Sequence, residues 1–263
     1  MSETLLLVRN EGSARILTFN RPEKRNALSV ELMRDLDRAL EEAAEDSGIR
    51  TVIINANGKG FSSGIDLGSL AAVGMGVEPD RFRRLVRMLQ GVMNRLAVLE
   101  KPVISVIHGF CLGMALELIL AGDVRIAEAG CELHIAEVRL GLIPDVGGTT
   151  RLVRVVGLPR AKELIMTGKT ITAETALSWG LVNELVEPGK GLEAALRWHE
   201  EFVQGAPLAV GLAKILLDRA YDLDSASSMA LEGLGQSTLY NSEDFREGVM
   251  ARMQKRTPNW KNK

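Results

Sequence analysis

The chain has 263 residues, of which 46% are hydrophobic and 25% are charged, a balance typical of a globular protein with a buried core. Its formal net charge of −2, without a dominant basic patch, argues against nucleic acid and anionic membrane surfaces as partners. The two cysteines, Cys111 and Cys131, belong to no CxxC motif or Cys/His cluster. They predict free thiols in a cytoplasmic protein that has no metal site.

The first hundred residues predict strands alternating with helices. Residues 4–9 and 14–19 are short apolar runs that predict two strands joined by a turn. An amphipathic helix is predicted directly after Ser29. Residues 51–55 (TVIIN) form a continuous apolar run, which is typical of a strand buried on both faces. A second amphipathic helix is predicted to begin near Asp80.

The rest of the chain continues this alternation and then becomes helical. Further strands are predicted over 103–109, 123–127, 131–135 and 181–186, and helices over 114–121, 158–168 and 171–180, with a glycine- and proline-bearing loop at 136–152. Four more helices are predicted over 192–204, 207–221, 225–239 and 242–256. We therefore predict an α/β core over residues 1–190 and a helical region over residues 191–263 that forms an assembly surface.

Two predicted strands end in glycine-rich turns, GFSSGIDL (60–67) and HGFCLGMALEL (108–118). Such a turn can leave backbone N–H groups unpaired, and two of them converging on one oxygen make an oxyanion hole. Each turn taken alone is explained better by tight packing. The chain lacks the GxxxxGK[ST], GxGxxG and HExxH motifs, so the sequence does not indicate a phosphate loop, a dinucleotide site or a zinc site.

Three acidic residues are candidates for acid/base chemistry. Glu117 lies in MALELILAG, where an ionised carboxylate must be paired or kept neutral, so either an ion pair with Arg125 or a catalytic carboxyl with a shifted pKa is expected. Glu137 follows a predicted strand and precedes the 136–152 loop. Asp145 precedes Gly147 and a helix, which is also typical of a helix cap.

Four stretches in order resemble the crotonase family, the enoyl-CoA hydratase/isomerase superfamily. They are FNRPEKRNALS (19–29), KGFSSGIDL (59–67), VISVIHGFCLGMALEL (103–118) and EVRLGLIPDVGGTTRL (137–152). The resemblance covers nearly the whole chain. It implies a spiral core of ββα units and C-terminal helices that build trimers, often paired into hexamers. It also implies an acyl-CoA thioester substrate and no metal or redox cofactor.

The resemblance also assigns roles to individual positions. By motif position, the backbone N–H groups of Ile65 and Met114 would bind the thioester oxygen, and Glu117 and Glu137 match the two glutamates that handle water and the α-proton in hydratases. The remaining matches concern coenzyme A and the substrate: Lys24 and Arg25 would lie near the CoA phosphates, and Ser63, Asp66 and Leu67 would flank the ligand. The pocket wall is predicted from residues 68–90.

Three functions remain open at this point. The intact glutamate pair favours a 2-enoyl-CoA hydratase. Asp145 stands where many hydratases have a small residue, and dienoyl-CoA isomerases of the family carry acidic residues at all three positions, so an isomerase is the alternative. A non-catalytic protein on the same fold, such as an RNA-binding relative, is the third. Met114 also departs from the family's glycine run, and its side chain is expected to narrow the pocket.

Overall fold

The computed structural model describes residues 4–69 and 79–263. Its strands are β1 (Leu6–Glu11), β2 (Ala14–Phe19), β3 (Thr51–Ala56), β4 (Val103–Ile107), β5 (Phe110–Leu112), β6 (Val124–Glu128), β7 (Glu132–His134), β8 (Ile171–Thr172) and β9 (Glu184–Val186). Its helices are α1 (Val30–Glu45), α2 (Pro79–Val98), α3 (Met114–Ile119), α4 (Gly148–Thr167), α5 (Ala173–Ser178), α6 (Gly191–Val203), α7 (Pro207–Arg219), α8 (Ser225–Tyr240) and α9 (Glu243–Gln254). No helix in this part of the chain has both the length and the hydropathy that a membrane span requires.

The strands form two sheets. The large sheet has the order β1-β2-β3-β4-β6-β9, in which β1 and β2 are an antiparallel hairpin and every later pair is parallel. The small sheet has the order β5-β7-β8. Since β5 follows β4 and β7 follows β6, the chain repeatedly leaves the large sheet, adds a short strand to the small one and enters a helix. Because β3 and β4 are parallel neighbours, their carboxyl ends lie side by side at the same end of the large sheet.

Apolar layers cover both faces of the large sheet. On one face, α1 and α2 contribute Leu36, Leu40 and Met93 to the main core. On the other face, α6 contributes Ala194 and Ala195 to a smaller core against β2, β3, β4 and β6. Ser29 caps α1, because its side chain accepts a hydrogen bond from the N–H of Leu32 at 3.2 Å.

Most predicted elements are present within one to three residues of their expected bounds. The strands β5 and β8 were not predicted, because three-residue and two-residue strands carry too little hydrophobic pattern to be recognised. The helix predicted from residue 158 is the second half of α4. The chain changes direction within α4 at Gly157, whose φ of 76° and ψ of 161° are not helical.

Candidate active site

The two glycine-rich turns lie against each other. A parallel bridge pairs Ser62 with Cys111, through hydrogen bonds from Ser62 N to Phe110 O at 3.2 Å and from Leu112 N to Ser62 O at 3.1 Å. One close contact is at Gly64, which has a φ of +86°: a Cβ there would lie 2.6 Å from Leu112 O and 3.3 Å from Met114 N. Glycine is therefore required at this position, since any side chain would push the two turns apart.

The backbone orients two N–H groups at this contact. The peptide unit between residues 64 and 65 has its carbonyl oxygen bonded to the N–H of Leu28 at 2.8 Å. In a planar trans peptide the N–H points opposite to the C=O, so the Ile65 N–H points away from Leu28. The Gly113 carbonyl likewise accepts bonds from within α3, which directs the Met114 N–H out of the helix. Within residues 4–69 and 79–263, neither N–H has a hydrogen-bond acceptor.

A cavity of about 460 Å³ opens beside these two residues. Ile65 and Met114 line it together with all three candidate acids, Glu117, Glu137 and Asp145. The other lining residues are Phe82, Arg83, Leu85, Val86, Arg87, Leu89, Gln90, Leu142 and Ile143. The structure thus brings the predicted N–H donors and the three carboxyls to one largely apolar cavity, which suits an aliphatic chain beside a reactive polar group.

Glu117 is buried and makes no ion pair with Arg125. Its Oε1 accepts hydrogen bonds from Gly148 N at 2.8 Å and from Val146 N at 3.1 Å. The Arg125 guanidinium instead donates to the carbonyl oxygens of Leu181 and Gly122. Burial, reinforced by the neighbouring Glu137 and Asp145 carboxyls and opposed by these two hydrogen bonds, raises the pKa of Glu117 from 4.5 to about 7. The carboxyl can therefore give or take a proton near neutral pH.

Glu137 lies close to the Met114 turn. A Cβ on Gly113 would be 2.7 Å from Glu137 Oε1, so the glycine makes room for the carboxyl. Within the part of the chain that the structure describes, Glu137 Oε2 is buried without a hydrogen-bond partner. Burial, followed by the nearby Asp145, raises the pKa of Glu137 above its ordinary value. An unpartnered carboxylate oxygen at the cavity is available to a water molecule or a substrate.

Asp145 is not the cap of α4. The N-cap residue is Gly147, which has no side-chain hydrogen bond to the helix. The Asp145 backbone carbonyl accepts a bond from Gln90 Nε2 at 2.6 Å, while its carboxyl belongs to the cavity wall. Burial raises the pKa of Asp145 above its ordinary value. The cap expected from the sequence is therefore wrong, because glycine occupies that position in a left-handed conformation.

The residues assigned to coenzyme A lie in the first turn or next to it, and none of them lines the cavity. Lys24 and Arg25 are exposed on a short 3₁₀ turn, and the Arg25 guanidinium lies 4.6 Å from the centroid of the Phe110 ring. The N–H of half-buried Ser63 donates to Arg25 O at 3.0 Å, so the two segments are linked. Leu67 is 62% exposed.

Asp66 has partners within the protein. Its carboxylate forms an ion pair with Arg21 and accepts the Ser69 N–H at 2.9 Å. Although partial burial acts to raise the pKa of Asp66, the hydrogen bonds from Ser69 and Arg21 lower it below the ordinary value. This carboxylate is therefore ionised at neutral pH, and it ties the second half of the turn to Arg21.

Several lining residues were only partly anticipated. The sequence predicted a wall from residues 68–90, of which 70–78 lie outside the described residues. Phe82 and Leu85, within the remaining part of that range, line the cavity; Leu85 also packs against the main core, and Phe82 is 37% exposed. Leu142 and Ile143 were missed, although two adjacent apolar residues in a glycine- and proline-bearing loop are a signal for such a role.

Comparison with known proteins identifies this combination of fold and site. The sequence model described as enoyl-CoA hydratase/isomerase matches residues 9–263. The chain is 34% identical to the short-chain-enoyl-CoA hydratase of Clostridium acetobutylicum, with 95% of each chain covered. It is 35% identical to the 2,3-dehydroadipyl-CoA hydratase of Escherichia coli over the full length of both.

Solved structures agree with these sequence matches. The enoyl-CoA hydratase of Bacillus anthracis superposes with a TM-score of 0.93 at 33% identity, covering 99% of this chain and all of the other. The fold is therefore the crotonase fold, an α/β spiral with C-terminal helices. The chain belongs to the enoyl-CoA hydratase/isomerase family, which confirms the resemblance drawn from its motifs.

Proposed function

We propose that this protein is an enoyl-CoA hydratase, which adds water across the C2=C3 double bond of a 2-enoyl-CoA thioester. The observation that carries this proposal is that Ile65 and Met114, whose N–H groups have no acceptor among the described residues, line the same cavity as Glu117 and Glu137. The relatives named as hydratases, matched over almost their whole length, support the same substrate class.

The two N–H groups stabilise charge that develops during the reaction. When water attacks C3, electron density moves through C2 onto the thioester oxygen, which takes on enolate character. Hydrogen bonds from Ile65 N–H and Met114 N–H to that oxygen are stronger in the transition state than in the substrate, and such donors each account for about 10²–10³ in rate. The apolar wall of Phe82, Leu85 and Leu89 holds the acyl chain and excludes bulk water.

The two glutamates supply the proton transfers. One carboxylate takes a proton from a water molecule while the water oxygen forms its bond to C3. The other carboxyl gives a proton to C2. The pKa of about 7 at Glu117 suits proton transfer near neutral pH, and the pKa of Glu137 is raised as well. The proposal requires no metal ion and no redox cofactor.

The proposal is tested by assaying hydration of crotonyl-CoA and of longer 2-enoyl-CoA esters. The reaction is monitored as the loss of absorbance of the conjugated enoyl thioester. We expect turnover by the wild-type enzyme and a loss of at least about 10²-fold in kcat for Glu137→Gln and Glu117→Gln. The exposed Glu42 of α1 provides the matched control Glu42→Gln, with unchanged kcat. Failure to hydrate any chain length would eliminate the hydratase assignment.

A second candidate is a double-bond isomerase, because Asp145 places a third carboxyl in the same cavity. Three acids spaced along an acyl chain can remove a proton at one carbon and return it at another. Dienoyl-CoA and 3-enoyl-CoA substrates, analysed for shifted double bonds by chromatography, test this candidate. If Asp145→Asn keeps full hydration and the wild-type enzyme gives no isomerised product, the isomerase is excluded.

Coenzyme A binding and assembly complete the proposal. Lys24 and Arg25 contact the CoA phosphates, and Ser63 and Leu67 flank the ligand, while Asp66 holds this segment in place through Arg21. The region 191–263 mediates self-association into trimers or hexamers, supported by exposed apolar side chains on α7–α9. These include Leu217, Leu234, Tyr240 and Met253, the last 80% exposed. A cytoplasmic location stays a prediction.

A further inference from the structure

The side chain of Ser62 connects the first turn to a neighbouring segment. Ser62 is fully buried, and its Oγ donates a hydrogen bond to Asn26 O at 2.7 Å. The same Oγ accepts the N–H of Gly64 at 3.1 Å. Because both bonds involve backbone groups, the hydroxyl fixes the position of main chain, not of another side chain. Ser62 is also absent from the residues that line the cavity.

Gly64 is the residue at which this restraint matters. Its N–H is held by Ser62 and its C=O by Leu28 N at 2.8 Å, one bond on each side of its Cα. Glycine at φ +86° has wide backbone freedom, and nothing in its own side chain keeps it in this conformation. The next peptide unit carries the Ile65 N–H. The two hydrogen bonds at Gly64 therefore set the direction of that N–H.

Asn26, which accepts the hydrogen bond from Ser62 Oγ, is itself held rigidly. Asn26 is 1% exposed, and its Nδ2 donates to the carbonyl oxygens of Asn57 at 2.7 Å and Gly60 at 3.0 Å. Its Oδ1 accepts the N–H of Arg21 at 2.9 Å. Every polar atom of the Asn26 side chain is thus bonded to main chain around the turn. Ser62 transmits this fixed position to Gly64.

We propose that Ser62 is a positioning residue of the oxyanion hole, which acts by holding Gly64 so that the Ile65 N–H meets the thioester oxygen. This inference rests on the proposed function, because it assumes that the Ile65 N–H binds that oxygen. Ser62 does not line the cavity, and its bond to the turn that carries Lys24 and Arg25 ends on Asn26 O, a position that the Asn26 side chain already holds through three bonds to main chain. Its loss therefore acts mainly on turnover and much less on CoA affinity. A misdirected donor loses part of the 10²–10³-fold effect of a removed one.

The test compares wild-type enzyme with Ser62→Ala and Ser62→Cys. We expect Ser62→Ala to lower kcat about tenfold with KM changed less than about twofold, a part of the effect of removing a donor. A 3-aryl-2-enoyl-CoA ligand, whose absorption moves to longer wavelength when its C=O is polarised, provides a spectroscopic readout. The shift on binding should decrease in Ser62→Ala and be intermediate in Ser62→Cys, whose thiol is a weaker donor and acceptor.

The matched control is Ser105→Ala. Ser105 is also a buried serine, on β4, and within the described residues its Oγ has no hydrogen-bond partner. The Ser105→Ala variant should keep the wild-type kcat and the wild-type absorption shift of the bound ligand. Retention of both kcat and the full shift in Ser62→Ala, with a loss of thermal stability alone, would overturn the inference. If Ser62→Ala does not fold, the same criterion applies to Ser62→Cys.

The ligand also separates this inference from the proposed function. If the aryl ligand binds wild-type enzyme without any shift and no hydration is detected, the oxyanion hole itself is refuted. If wild-type enzyme shows the shift and Ser62→Ala shows the same shift, the hole stands and only the role of Ser62 is refuted.

Discussion

Replacing Glu117 with glutamine should make the protein inactive and, at high pH, more stable. Burial raises the pKa of Glu117 from 4.5 to about 7, so the folded state holds a proton that the unfolded chain releases. Each pH unit corresponds to about 1.4 kcal/mol, which makes the ionised carboxylate unfavourable in the fold by about 3 kcal/mol. Wild-type stability therefore includes this loss above pH 7 and is free of it below pH 4.5.

Glutamine avoids the loss because it does not ionise. Its side-chain oxygen can still accept the N–H groups of Val146 and Gly148. Urea unfolding at pH 4 and pH 8 should give nearly equal stabilities for Glu117→Gln and wild type at the lower pH. At the higher pH, the variant should be more stable by about 3 kcal/mol.

The control for this measurement is Glu42→Gln on the exposed face of α1, which should follow the wild type at both pH values. Because the Glu137 and Asp145 carboxyls repel the Glu117 carboxylate, the difference between variant and wild type reports the cost of the Glu117 charge together with this repulsion. Equal stability of variant and wild type at pH 8 would refute the claim that Glu117 is ionised at a cost to the fold.

Three further predictions concern separate parts of the molecule. Gly113→Ala, at φ +54° with its Cβ 2.7 Å from Glu137 Oε1, should lower kcat about 10²-fold in the crotonyl-CoA assay; unchanged kcat would contradict the placement of Glu137. Arg25→Ala should raise KM for enoyl-CoA but not for the matching enoyl-pantetheine thioester, and equal effects on both would rule out a phosphate contact. Lys214→Met removes the ion pair, 2.8 Å long, between buried Lys214 and partly buried Asp123 and should destabilise the protein by about 3 kcal/mol in thermal melts, whereas an unchanged melt would show that the pair contributes nothing.

Much of the fold could be predicted because its elements carry strong local signals. TVIIN and VISVI are continuous apolar runs, and Ser29 is followed by a helical stripe, so β3, β4 and α1 were predicted nearly to their ends. The short strands β5 and β8 could not be predicted. They exist because the small sheet offers neighbours for pairing, which is a tertiary effect that no local pattern records.

The candidate site was predicted in its residues but not in its connections. Glu117 was recognisable as an acid in an apolar run, yet its partners, the Val146 and Gly148 N–H groups, lie about thirty residues away and depend on how α4 begins. The sequence suggested Arg125 as a partner because it is near in the chain, but Arg125 is turned towards Leu181. Ser62 carried no sequence signal at all, since its role depends on contact with Asn26.

The most direct test of the account is a crystal structure with a 2-enoyl-CoA or a saturated acyl-CoA analogue bound. We predict that the thioester oxygen accepts hydrogen bonds from both Ile65 N and Met114 N, with C2 and C3 facing the carboxyls of Glu117 and Glu137. A thioester oxygen bound elsewhere, or an acyl chain outside the cavity formed by these residues, would contradict the account.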